Sequence, residues 1–128
     1  MSAYLIVALI VIGLVAFFFL KNSGESYSIS VEEMIENRKT EPGIVIDVRS
    51  SAEFYAGHLK IANHNYDLLS GEFSRKLSSL DKTETYYLYC ASGNRSGKAA
   101  KLMNKEGFTN VYNIGGYRNL VDSGLDSE

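Results

Sequence analysis

The hydrophobic and polar positions divide the chain into two parts. The first 20 residues contain no charged side chain, and residues 3–20 form a continuous, mainly apolar run. That run is close to the ~20 residues that a helix needs to cross a bilayer. From Lys21 onward apolar positions recur with the periods of helices and strands. The pattern predicts a transmembrane anchor at 1–21, a polar linker at 22–26 and a folded domain at 27–128.

A cleaved signal peptide is the alternative interpretation of the apolar run. Such a peptide has a basic stretch before the run and small residues at a cleavage site after it. Here no Lys or Arg precedes the run, which ends in three phenylalanines and Leu20. We therefore expect a single-pass membrane protein. Because Lys21, Arg38 and Lys39 all follow the run, the positive-inside rule places the domain in the cytoplasm; cleavage would make it periplasmic or secreted.

Strand and helix patterns alternate through the domain. This alternation predicts an α/β fold with a mainly parallel central sheet and helices on both faces. Runs of β-branched or aromatic residues predict strands at 44–48, 61–65, 85–89 and 110–113. Apolar spacing and terminating glycines predict helices at 51–56, 73–80 and 97–106. A further helix, to about Asn37, is predicted to begin with a capping box formed by Ser30 and Glu33.

Composition limits the classes of function that the chain can have. A formal net charge of −2 provides no basic surface, so we expect no nucleic-acid partner. One cysteine cannot form an internal disulfide. One cysteine and two histidines are also too few of the usual ligands for a structural zinc site. We expect no metal ion, and we expect the domain to be a monomer.

The only cysteine, Cys90, follows the predicted strand at 85–89 and precedes a predicted helix. Ligands of open α/β sheets bind beyond the carboxyl ends of strands. The residues after the cysteine form a polar loop whose amides can surround an anion: Ala91, Ser92, Gly93, Asn94, Arg95 and Ser96. Together with the helix amino terminus and the charge of Arg95, these amides should lower the pKa of the thiol. An inert buried cysteine is the alternative; the polar loop favours a reactive thiolate.

Four stretches resemble the rhodanese family and occur in the family's order. The loop from Cys90 to Ser96 has the form C-x-x-G-x-R-S, and residues 46–59 resemble the block I-D-V-R, E-F, G-H-I. Residues 107–112 resemble G-F-x-N-V-Y, and Gly115-Gly116 resembles the closing pair of glycines. The chain departs from the family at Lys60-Ile61, where Pro-Gly is usual, and it has no Trp. These departures affect scaffold positions and leave the cysteine loop intact.

The resemblance implies a thiosulfate sulfurtransferase that needs no cofactor. Cys90 would take the outer sulfur of a small anionic donor such as thiosulfate, form a persulfide and pass the sulfur to cyanide or a thiol. The loop amides would stabilise the persulfide, and Arg95 would hold the donor. Asp47 and Arg49 would support the cysteine loop, or else fix the turn between a strand and a helix. A protein that donates or accepts sulfur would also fit.

Two other functions use the same loop. Rhodanese-like folds are related to the cell-division-cycle dual-specificity phosphatases, whose loop is C-x5-R with a histidine before the cysteine. Here Tyr89 precedes Cys90, and Arg95 completes a C-x4-R loop, which should fit one sulfur atom better than a phosphate group. The other alternative is a sulfur carrier or binding module docked at the membrane, in which turnover with thiosulfate is incidental.

Overall fold

Four parallel strands form the central sheet of the computed structural model, which describes residues 3–22 and 27–128. The strands lie in the order β2-β1-β3-β4. They are β1 (Ile44–Asp47), β2 (His64–Asn65), β3 (Thr85–Cys90) and β4 (Asn110–Gly116). Because all three neighbouring pairs are parallel, the carboxyl ends of the strands lie at one edge. The predicted α/β fold with a parallel sheet is confirmed.

Six α-helices accompany this sheet in the described part of the chain. They are α1 (Ala3–Asn22), α2 (Val31–Thr40), α3 (Ser51–Ala56), α4 (Glu72–Lys76), α5 (Asn94–Lys105) and α6 (Tyr117–Asp122). A 3-10 turn at Leu77–Ser79 follows α4 directly. The patterns placed α3 correctly and located the other helices of the domain to within a few residues, but they did not predict α6.

The capping box lies at a different helix from the one predicted. At α2 only the Ser30 hydroxyl takes part, accepting a hydrogen bond from the amide of Glu33. The full reciprocal arrangement occurs at α3, between Ser50 and Glu53. The Glu53 amide donates to the Ser50 hydroxyl at 3.2 Å, and the Ser50 amide donates to the Glu53 carboxylate at 3.3 Å. This box fixes the carboxylate of Glu53 at the start of α3.

Strand β3 is the centre of the core because both of its faces are covered. Alternate side chains of a strand point to opposite faces, and every residue of β3 is buried. One face of β3 packs with residues of α4 and α5: Tyr86, Leu88 and Cys90 with Phe73, Ala99, Ala100 and Met103. The other face packs with residues of α2 and α6: Tyr87 and Tyr89 with Val31, Met34 and Leu120. The cysteine is therefore the last residue of the most buried strand.

The amino-terminal apolar segment forms α1, and the side chains of residues 3–15 are exposed. Among the residues whose side chains the structure describes, 3–15 and 27–128, no helix is long and apolar enough to cross a membrane. The transmembrane anchor at 3–20 is not supported by this finding and stays a prediction. Residues 23–26 of the predicted linker lie outside the described part of the chain.

Asp47 and Arg49 form a buried ion pair where β1 turns into α3. Arg49 Nη2 lies 2.7 Å from Asp47 Oδ2, and the Asp47 and Arg49 side chains are 0% and 6% exposed. The same nitrogen donates to the carbonyl of Gly57 at 2.7 Å, and the guanidinium lies 4.5 Å from the ring centre of Tyr117. These contacts join the end of β1 to the end of α3. These contacts fit a structural pair that fixes the strand–helix turn. The guanidinium also lies 5.6 Å from the ring centre of Tyr89, directly before Cys90, so a supporting role at the cysteine loop stays a prediction.

The variant Asp47→Asn is expected to destabilise the fold strongly because it leaves the buried charge of Arg49 without an anionic partner. Breaking a buried pair in this way costs about 3–5 kcal/mol of unfolding free energy. Glu36→Gln is the matched control, since Glu36 pairs with Lys39 at 2.8 Å but both side chains are more than half exposed. The control variant should lose less than about 1 kcal/mol of unfolding free energy. Urea unfolding followed by circular dichroism measures both, and equal losses would contradict a structural role for Asp47.

Candidate active site

Cys90 lies at the point where β3 passes into α5. Its side chain is fully buried. Helix α5 begins at Asn94, directly after Gly93, so Asn94, Arg95 and Ser96 form its first turn rather than part of a loop. The predicted helix start at residue 97 is therefore three residues too late. The early start turns the amino end of α5 toward the sulfur.

Hydrogen-bond donors surround the sulfur of Cys90. The amide of Gly93 donates to Sγ at 3.0 Å, and the hydroxyl of Ser96 donates to it at 3.3 Å. Burial by itself raises the pKa of the thiol, but the Ser96 hydroxyl and the amides of Ser96, Ser92 and Gly93 lower the pKa by more. The net effect holds the pKa of Cys90 below its usual value. The predicted lowering is confirmed, and its main favourable cause is the Ser96 hydroxyl rather than the charge of Arg95.

Asn113, a residue of β4 that the sequence did not single out, holds this arrangement in place. Its side-chain oxygen accepts hydrogen bonds from the Ser96 hydroxyl at 2.7 Å and from the Gly115 amide at 3.0 Å. Its side-chain nitrogen donates to the carbonyl of Gly93 at 2.9 Å. Asn113 is only 6% exposed, so these bonds are shielded from water. The buried side-chain amide of Asn113 thus fixes Gly93 and Ser96, two of the residues that donate to the sulfur.

The hydroxyl of Ser96 lies between two acceptors, Asn113 Oδ1 and Cys90 Sγ. A serine hydroxyl carries a single hydrogen and can donate to only one acceptor at a time. A hydrogen bond to a charged acceptor is stronger than one to a neutral acceptor. Loss of the thiol proton therefore draws the hydroxyl hydrogen from Asn113 toward the sulfur. The site stabilises a negative charge on Cys90 when that charge appears.

Two glycines allow the chain to pack closely around the cysteine. Gly93 has a φ of +94°, a conformation that other residues rarely adopt. A Cβ atom at Gly116 would lie 2.5 Å from the carbonyl oxygen of Ala91. The end of β4 therefore lies directly against the cysteine loop only because residue 116 has no side chain. This close approach gives a physical reason for Gly116, and the φ of +97° at Gly115 gives one for the other glycine of the closing pair.

Arg95, which was expected to hold a sulfur donor, is bound to Glu53 of α3. Its Nη1 and Nη2 atoms donate to the two carboxylate oxygens at 2.8 and 2.9 Å. The hydrogen bonds from Arg95 are the largest cause that lowers the pKa of Glu53 to about 2, so the carboxylate is charged at neutral pH. Glu53 belongs to the E-F motif, but its pairing with Arg95 could not be predicted from local spacing because the two residues are 42 positions apart.

The remaining residues of the loop face the solvent. Ala91, Ser92 and Asn94 are exposed, and so is Lys98 on the next turn of α5. Asp47 and Arg49 bind each other rather than the sulfur. Within residues 3–22 and 27–128 no group of three or more metal-binding side chains is close enough to hold a metal ion. The groups that the structure brings together at Cys90 are its sulfur and the hydrogen-bond donors of Gly93 and Ser96.

Comparison with known proteins agrees with this geometry. The family profile described as "Rhodanese-like domain" matches residues 30–122. The thiosulfate sulfurtransferase GlpE of Pseudomonas putida is 33% identical over 85 residues, which cover 66% of this chain and 74% of GlpE. YrkF, a candidate sulfur carrier protein of Bacillus subtilis, is 30% identical over 105 residues, which cover 75% of this chain. This chain spans about half of YrkF, because the match covers 55% of that protein.

A solved structure shows the same fold. The crystal structure of a rhodanese-related protein from Thermoplasma volcanium superposes with a TM-score of 0.66 at 25% sequence identity. The superposition covers 79% of this chain and 96% of that protein. The matched profile includes β1, the cysteine loop and β4, which together form the site described above. The chain therefore belongs to the rhodanese-like family.

Proposed function

We propose that the protein is a sulfurtransferase in which Cys90 carries the transferred sulfur as a persulfide. One observation carries the proposal: a fully buried cysteine whose sulfur accepts hydrogen bonds from Gly93 and Ser96 and whose pKa is lowered. The thiolate is the nucleophilic form of cysteine. Membership of the rhodanese-like family and the similarity to GlpE support the same reaction.

The reaction proceeds in two steps of nucleophilic catalysis. The Cys90 thiolate attacks the outer sulfur of the donor, a sulfur–sulfur bond forms, and the bond inside the donor breaks. With thiosulfate the leaving group is sulfite, and with an organic persulfide it is a thiolate. Cyanide or a thiolate then attacks the outer sulfur of the Cys90 persulfide, and the electron pair returns to Cys90. Negative charge remains close to the loop amides throughout, so the same donors stabilise both forms of the enzyme.

The dimensions of the loop favour sulfur over phosphate as the group bound. Gly93 and Ser96 donate directly to Sγ, and the end of β4 lies directly against Ala91. A longer loop would be needed to surround the several oxygens of a phosphate group. Phosphate-ester hydrolysis is therefore the weaker candidate. A sulfur carrier, as the name of YrkF describes, would use the same persulfide but would turn over only with its partner.

Cys90→Ser is expected to abolish persulfide formation because Cys90 is the only cysteine of the chain. Intact-mass spectrometry of the wild-type protein should show the gain of one sulfur atom after exposure to thiosulfate or an alkyl persulfide. Cyanide should remove that sulfur as thiocyanate. Thiocyanate formation by Cys90→Ser would contradict the proposal. Hydrolysis of an aryl phosphate that depends on Cys90, with no gain of sulfur, would instead indicate a phosphatase.

Ser96→Ala is expected to raise the pKa of Cys90, since it removes the hydroxyl that contributes most to lowering it. The rate of alkylation by iodoacetamide, measured against pH, reports the thiolate fraction directly. Ser92→Ala is the matched control, because Ser92 acts on the sulfur through its amide, which the variant keeps. The shift in Ser92→Ala should be much smaller than in Ser96→Ala. Equal pKa shifts in the two variants would contradict a dominant contribution of the Ser96 hydroxyl to the lowered pKa of Cys90.

We propose further that residues 3–20 anchor the protein to a membrane, with the domain on the cytoplasmic side. The support is the uncharged sequence of this segment and the exposure of its apolar side chains, among them Leu5, Leu9 and Ile12. Exposed apolar surface of this extent is costly in water. The position of Lys21 after the segment favours a cytoplasmic domain.

A membrane-impermeant thiol reagent is expected to leave Cys90 unlabelled in intact cells and to label it after lysis. Labelling of the folded protein after lysis is the required control, because Cys90 is buried and burial alone would also leave it unlabelled in intact cells. Unfolding the lysed sample in denaturant before labelling gives the maximum signal. The protein should remain in the membrane fraction after washing with alkaline carbonate. Labelling of intact cells would place the domain on the outer side of the membrane. Release by carbonate, or a mature chain that begins near Asn22, would contradict the anchor.

A further inference from the structure

Arg95, the arginine of the cysteine loop, is paired with a carboxylate rather than free. Both terminal nitrogens of Arg95 donate to Glu53. Ser50 holds the Glu53 carboxylate through its amide at 3.3 Å and its hydroxyl at 3.1 Å, so the carboxylate cannot easily turn away from the site. Asp67 is a second negative group within electrostatic range of Arg95. The positive charge next to the sulfur is therefore balanced by a fixed negative charge.

The balance of charge between Arg95 and Glu53 affects the binding of anionic donors, because the nucleophile, the Cys90 thiolate, is itself an anion. The thiolate of Cys90 and the carboxylate of Glu53 are both negative, and only the guanidinium of Arg95 opposes them within this group. These three formal charges leave one excess negative charge. Lys98 is exposed on α5, so solvent and salt screen its charge more than that of Glu53, whose side chain is 37% exposed and is held by Arg95. The amides of Gly93 and Ser96 stabilise the sulfur at short range, but as partial charges they do not cancel the full charge of the Glu53 carboxylate.

Sulfur donors differ in the charge that they bring to this site. Thiosulfate is a dianion, whereas an organic persulfide carries a single negative charge on its outer sulfur. Repulsion between like charges rises in proportion to the charge of the donor. Resting on the proposed sulfurtransferase function, we propose that Glu53 is a specificity-determining residue, and that it makes the site select organic persulfides of low charge over thiosulfate. The substrate class is an alkyl persulfide, free or carried on a protein cysteine.

The transfer from such a donor is balanced without any further reactant. The Cys90 thiolate attacks the outer sulfur of R–S–S⁻, the new sulfur–sulfur bond forms, and the electron pair of the old bond leaves with R–S⁻. Two negative charges are present before the step and two after it. The departing thiolate takes a proton from water. No oxidant or reductant is needed, because the sulfane sulfur keeps its oxidation state.

The test measures kcat/KM for two donors, once with the wild-type protein and once with Glu53→Gln, using cyanide as acceptor. The donors are thiosulfate and the persulfide of N-acetylcysteine methyl ester, whose only charge is on sulfur. Glutamine keeps the size of the side chain and can still accept a hydrogen bond from Arg95, but it removes the negative charge. The ratio of kcat/KM for thiosulfate to kcat/KM for the persulfide should rise about tenfold or more in Glu53→Gln at low ionic strength, and less in high salt.

Glu36→Gln is the matched control, because it makes the same change in net charge on α2, where Glu36 pairs with exposed Lys39. Its donor ratio should equal that of the wild-type protein. An unchanged or lower ratio in Glu53→Gln would overturn the inference while leaving the proposed function intact, provided both donors load Cys90. Failure of both donors to load wild-type Cys90 would overturn the proposed function and this inference with it.

A second measurement needs no variant and therefore does not depend on the folding of Glu53→Gln. In the wild-type protein, added salt should screen the repulsion and raise kcat/KM for thiosulfate more than kcat/KM for the persulfide. The salt series should use an unreactive salt such as potassium chloride. A fall in kcat/KM for thiosulfate with rising salt would show net attraction of the dianion and would overturn the inference.

Discussion

The structure depends on stabilising a negative charge on a sulfur atom that is completely buried. Burial alone would raise the pKa of Cys90 and make the thiol inert. The protein reverses this effect with short-range donors: the amides of Gly93 and its neighbours and the hydroxyl of Ser96. These donors act only if the loop keeps its shape. The positions of the surrounding strands and helices can be understood from that requirement.

Two elements far from the cysteine in sequence keep the loop in shape. Strand β4 contributes Asn113, which binds Gly93 and Ser96, and Gly116, which lets the strand lie against Ala91. Helix α3 contributes Glu53, which holds the guanidinium of Arg95 through two hydrogen bonds. Loop, sheet and helix are thus connected by buried or half-buried hydrogen bonds. The reactivity of the thiol is consequently a property of the whole domain.

Local patterns were sufficient to predict the fold and the cysteine, but not the contacts between distant residues. The buried strands at 44–47 and 85–90 consist mainly of β-branched or aromatic residues, so their sequences indicate them directly. Strand β4 extends to Gly116 because its end packs on the loop, and two consecutive glycines gave no strand signal. The pair of Glu53 and Arg95 and the role of Asn113 depend on tertiary contacts across 42 and 17 positions. No local spacing encodes such contacts.

The central claim is that the hydrogen-bonded thiolate of Cys90 is the species that accepts sulfur. It is tested most directly by comparing the pH dependence of two single-turnover rates in the wild-type protein: alkylation by iodoacetamide and loading from an alkyl persulfide. Above the range in which the donor itself titrates, both rates should follow one midpoint, below the pKa of about 8–9 that is usual for a thiol. A midpoint for alkylation at or above that range would contradict the account. A loading rate that does not rise with the thiolate fraction of Cys90 would also contradict it.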